Sequence, residues 1–196
     1  MKTRPQDSPG PTSVSRRDFS LGAGCMALLV ATGLPAEAAQ TQSLDQRFEY
    51  LSKNGNSACT PAFADSIAKM PPTARLQGSC CAEMDRKRYA EQVQGLTKYA
   101  AIPEIPPDPY DIAAGVAQKA MSYYGLPLSA DQQRIYQYAM DNSQEKGPCC
   151  CQCWRWTMYG GLAKFLIREH RFTGDQVTGV WNLSNGCGGG AEHNHG

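Results

Sequence analysis

Between Gly147 and Trp156 the chain reads GPCCCQCWRW, four cysteines in five positions followed by two tryptophans. Thiols at this density can cross-link, bind a soft ion as thiolates, or exchange disulfides. Four more cysteines, Cys59, Cys80, Cys81 and Cys187, lie far from the run along the chain. Four clustered and four distant thiols suit stapling, because neighbours in sequence seldom bond each other and each would reach a distant segment. Eight cysteines allow about 105 pairings, and spacing selects none of them.

The metal reading comes from helix geometry. With Pro148 as the first helical residue, Cys149 and Cys153 are four positions apart and Cys150 and Cys153 three, so these three thiols share a side while Cys151 points elsewhere. The positive end of a helix stabilises thiolate over thiol. Grouped thiolates bind soft ions such as Cu(I), Zn(II) or Hg(II), and Cys80, Cys81 and Cys187 are candidates to complete the site. Nothing in the spacing names the ion, since the two separated CxxC pairs of a zinc ribbon are missing. Whether Cys59 joins is open. Formally Cys150–Cys153 is also a CxxC, which makes a thiol–disulfide oxidoreductase the enzyme alternative. No strand–helix–strand pattern surrounds it.

Pro148-Cys149-Cys150-Cys151-Gln152-Cys153 fits P-C-x-C-x-C and resembles the signature of the exported bacterial PCYCGC-motif proteins, with Cys150 for Tyr and Gln152 for Gly. The likeness covers six residues. It implies metal association at Cys149, Cys151 and Cys153.

Other candidate ligands carry less. A continuous helix would hold His170 about 25 Å from Cys153, and its place beside Arg168 and Arg171 suits a helix C-terminus. His193 and His195 form an H-x-H near the end of the chain, a spacing that can capture Cu(II) or Zn(II). Trp154 continues an apolar stripe to Met158 and Leu162 and reads as core; Trp156 reads as partly exposed or packed on a neighbour. No G-x-S-x-G, H-E-x-x-H or P-loop occurs, so hydrolase and nucleotide chemistry have no support. The function expected is soft-metal storage, delivery or detoxification, with a disulfide-stapled structural or interaction module as the alternative.

The elements that position these residues are helical. Thr60-Pro61, Asp108-Pro109, Gly147-Pro148 and the capping boxes Ser129/Gln132 and Thr173/Gln176 mark starts, and Tyr89, Val93, Leu96 and Ala100 keep a buried spacing. VTGVWNL (177–183) is the one stretch defensible as a strand. The expected fold is all-α with about five to seven helices, covering 39–186. A flexible Gly/His tail is expected over 187–196.

The first 38 residues read as an address. VSRRDFSL (14–21) precedes a short apolar run, then Pro35 and Ala36-Glu37-Ala38, and this resembles a twin-arginine (Tat) signal peptide cut after Ala38. Cys25 leaves with it. The resemblance implies handling by the Tat translocase and a periplasmic or secreted bacterial product. About 158 residues would remain, enough for one core. Of the chain's 19 basic and 18 acidic residues, fifteen of each lie beyond Ala38. Zero net charge without a basic block argues against nucleic acid and anionic membranes as partners, and no second apolar span offers a membrane anchor.

Overall fold

A computed structural model describes residues 43–189, and the signal-peptide reading lies outside them. Seven helices and a two-stranded ribbon make up the described chain: α1 (Leu44–Lys53), α2 (Pro61–Ile67), β1 (Arg75–Gln77), α3 (Arg86–Leu96), β2 (Asp111–Ala113), α4 (Ala114–Tyr124), α5 (Ala130–Asn142), α6 (Trp154–Glu169) and α7 (Gly174–Ser184). The fold is mostly helical, as its caps announce. Thr60 accepts from the Phe63 N–H with Pro61 at the first helical position. Ser129/Gln132 and Thr173/Gln176 both close as capping boxes. Ser43/Gln46 does the same for α1. The 177–183 stretch lies within α7 and is not a strand.

Two starts differ from expectation. Asp108-Pro109 does not open a helix, because Ile112 is used by the ribbon, antiparallel to Leu76, and α4 begins only at Ala114. Asp108 is instead buried, accepting from the Tyr110 N–H (2.9 Å), the Tyr89 hydroxyl (2.7 Å) and Arg47 (2.9 Å). Nor does Gly147-Pro148 open a helix, as α6 starts at Trp154.

α6 is the centre of the molecule. Trp154, Met158, Leu162, Phe165 and Leu166 are buried as their spacing requires, but so are Arg155, Tyr159, Ala163 and Ile167. A helix enclosed on all sides needs cover on all sides. α4, α5, α7 and α2 supply it. The helix runs unbroken through Gly160-Gly161, and that pair lets α4 approach. A Cβ on Gly161 would sit 2.9 Å from the Ala120 carbonyl carbon and closer still to its oxygen. The indole of Trp181 on α7 donates to the Tyr159 carbonyl (3.0 Å), fastening α7 across α6. No helix among the described residues is long and apolar enough to cross a membrane.

Candidate metal centre

Eight of the nine cysteines lie among the described residues, and they come from four segments. Cys59 immediately precedes the cap of α2, Cys80 and Cys81 follow β1, Cys149 to Cys153 connect α5 to α6, and Cys187 follows α7. Local bonds fix each segment. The Gly78 N–H reaches the Tyr110 carbonyl (2.8 Å), and the Ala82 N–H reaches the Cys187 carbonyl (2.8 Å). Gly188 has φ +81 and lies where a Cβ would meet the Glu83 carbonyl oxygen at 2.7 Å, so the two cysteine segments touch backbone to backbone. The Ser143 hydroxyl accepts from the Gly147 N–H (2.8 Å), turning the chain out of α5. A Cys153 N–H bond to the Cys151 carbonyl (2.9 Å) tightens the loop before Cys153 takes the N-cap position of α6.

This corrects the geometry expected of the run. Cys149 to Cys153 form a loop, not a first helical turn, so helical spacing does not decide which thiols agree. Cys151, expected to point elsewhere, is in the middle: its sulfur is 3.5 Å from that of Cys59 and 3.6 Å from that of Cys81. Cys59 belongs with the others, 3.0 Å from Cys81. Cys80 lies 3.7 Å from Cys81, and buried Cys149 lies 2.9 Å from buried Cys187. Cys187, placed at the head of a flexible tail, is instead packed with Gly188 and Gly189, whose N–H reaches the Glu83 carbonyl (2.7 Å). Residues 190–196, with His193 and His195, lie outside the described chain. His170 is an exposed C-cap residue beside the rings of Phe165 and Phe172.

Three sets of sulfurs are compact enough to hold an ion, each within 4.8 Å: Cys81, Cys150, Cys151 and Cys187; Cys59, Cys80 and Cys153; and Cys149, Cys151 and Cys153. Four thiolates around Zn(II) at ~2.3 Å sit ~3.8 Å apart, close to the 3.6 Å between Cys81 and Cys151 of the first set. Among the described residues no cysteine pair is at disulfide distance. Cys150 falls in one set and Cys153 in the other two, so the CxxC reading gains no pairing from the fold.

The thiols share protons unequally. Cys153 is held well below its ordinary range, first by hydrogen bonding from Cys149 and next from Cys80. Cys80 is pushed up to about 11, chiefly by its bond to Cys153. Cys149 is raised through Cys150, Cys151 and Cys187 through Cys149, and Cys59 by burial.

One residue of this neighbourhood is missing from the sequence reading. Arg155 is fully buried, its Nη1 donating to the Pro109 carbonyl (2.6 Å) and its Nη2 to the Gly78 carbonyl (3.0 Å). Its position directly after Trp154 on a helix with apolar residues all round was the available signal. Trp156 packs on Gly147 and donates to the Tyr124 hydroxyl (3.1 Å).

No known protein family, curated protein or solved structure matches this chain.

Proposed function

We propose that this is an exported thiolate protein that binds a soft metal ion, Cu(I), Zn(II) or similar, for storage, delivery or detoxification. One observation carries the reading: eight thiols from four distant segments converge in sets of three and four at ligand spacing. Thiolate-only donor sets favour soft ions, and no His, Asp or Glu enters any set among the described residues. The P-C-x-C-x-C likeness points the same way. Export rests on the twin-arginine pattern of residues 14–38, and a neutral surface charge suits a small-ion cargo better than a nucleic acid.

A second reading, disulfide stapling, is favoured by two contacts, Cys149–Cys187 at 2.9 Å and Cys59–Cys81 at 3.0 Å. Intact-mass spectrometry, native and denaturing, on protein exported by its own leader and never reduced separates the two. A metal adduct with free thiols released on denaturation supports binding. A mass lighter by about two hydrogens per cysteine pair, without adduct, refutes it in favour of staples.

A further inference from the structure

Resting on the soft-metal reading, we propose that the site is one polynuclear cluster. It holds up to three ions at once, with Cys151 and Cys153 as shared, bridging thiolates and Arg155 as the cation that balances its charge.

A single ion takes about four thiolates at most, which would leave four of the eight stranded in the same place. The sets divide them better. Cys81, Cys150, Cys151 and Cys187 share no member with Cys59, Cys80 and Cys153, so two ions fit without competition. The third set adds only Cys149 and borrows Cys151 from the first and Cys153 from the second. Together the three sets use every thiol among the described residues, two of them twice. Bridging is what joins neighbouring thiolate sites into a cluster, and these two residues are the joints. Two of the sets offer three sulfurs, an arrangement that suits Cu(I), which is satisfied by three thiolates, better than Zn(II), whose structural sites are four-coordinate.

Such a cluster is anionic. Eight thiolates on three divalent ions leave two negative charges, and on three monovalent ions five. A buried cation without an opposite charge is destabilising, because desolvation is not offset. Arg155 is completely buried, yet among the described residues no carboxylate is ion-paired with it. Its two bonded partners are neutral carbonyls, and its Nε has none. Its guanidinium lies over the Trp154 ring, 4.5 Å from the centroid, a contact that carries no formal charge. Three cysteine segments wrap the guanidinium: Gly78 lies two residues before Cys80, Gly186 adjoins Cys187, and Arg155 follows Cys153. A Cβ on Gly186 would stand 2.5 Å from the Arg155 Cζ, so the segment that carries Cys187 is in contact with the guanidinium. Thiolates that hold ions on these segments supply the negative charge that no carboxylate gives this guanidinium.

The test is anaerobic titration of the reduced full chain with Cu(I), supplied as its bicinchoninate complex, and separately with Cd(II), read by native mass spectrometry. More than one ion per chain, rising to three, is expected. Cys153→Ser breaks two sets and should lose two ions, whereas Cys59→Ser breaks one and should lose no more than one. ¹¹³Cd NMR should show cadmium–cadmium coupling through the shared thiolates. Saturation at one ion with both probes, with four thiols still open to iodoacetamide, overturns the cluster and leaves the soft-metal reading intact. No ion with either probe overturns both. Arg155→Lys should stay near wild-type affinity, while Arg155→Met should bind its last ion at least about tenfold more weakly in chelator competition. Arg155→Gln replaces it under the same criterion if the Met variant does not fold. A folded, uncharged variant with unchanged affinity would remove Arg155 from the cluster.

Discussion

Gly186→Ala isolates the seat of Arg155 with one methyl group. The new Cβ would fall 2.5 Å from the guanidinium carbon and 2.8 Å from the Pro109 carbonyl oxygen. A flexible side chain would normally swing aside, but this one is held at Pro109 and Gly78 and enclosed by protein. Overpacking of this kind typically costs ~1–3 kcal/mol. Displacing the guanidinium also weakens two bonds from a charged donor, worth about 1.5–3 kcal/mol each, and strands the buried carbonyls. Since one of the two bonds can survive a small shift, a loss of about 3 kcal/mol is expected, or roughly 6–12 °C in Tm for a domain of this size. The assay is thermal and urea unfolding of the reduced, metal-free protein by circular dichroism, with Gly125→Ala as control. Gly125 closes α4 at ordinary φ, with nothing within 4 Å of its Cβ, so alanine there should be neutral or stabilising by ~0.4–1 kcal/mol. If Gly186→Ala and Gly125→Ala unfold alike, Arg155 is loosely held and the reasoning about its seat is wrong.

Gly161→Ala drives a methyl into the Ala120 carbonyl, which cannot rotate away, and should cost ~3 kcal/mol or more in urea unfolding; a loss under ~1 kcal/mol would mean that α4 and α6 separate easily. Burial raises the carboxyl of Asp108 above the ordinary aspartate range, against the opposing pull of the Tyr110 N–H, Tyr89 and Arg47. Its proton is therefore held more tightly when folded, so stability through this group is full below the unfolded value near ~3.9 and is lost as pH rises through the folded one. Relative to Asp108→Asn, the wild type should gain stability as pH falls from neutral toward ~4, and a change in the opposite direction would show that Arg47 outweighs burial. Saturating Cd(II) should raise the Tm of the reduced protein, by about 2.7 kcal/mol in stability at a hundredfold excess over Kd; an unchanged Tm would mean that the unfolded chain binds as well as the folded one.

Much of the helical frame was readable because caps are local. Thr60-Pro61, Ser129/Gln132 and Thr173/Gln176 each need only their own turn, and Ser43/Gln46 carried the same signal for α1. The two Pro-led starts that failed did so for long-range reasons. Ile112 is claimed by Leu76 across the ribbon, and the cysteine run is held open by contacts to Cys59, Cys81 and Cys187. The density of cysteines marked where the thiols converge. Helical spacing within the run could not tell which thiols meet, because the loop is shaped by segments far along the chain. Arg155 was hidden by its charge: a cation beside two tryptophans reads as surface until the helix is known to be enclosed on every side.

That the thiols come from four segments gives assembly a clock. Cys187 is the last of the eight along the chain, so the site is incomplete until that segment has been made, and the long loops between its segments close late. Until then seven sulfurs wait without their final neighbour. Whatever reaches them first, ion or oxidant, determines which molecule is made, and a thiolate is also the group that attacks a disulfide. An ion that binds before an oxidant acts would find free thiols, and one that arrives afterwards would have to undo covalent bonds. The order of those two events thus decides which covalent structure the same chain takes.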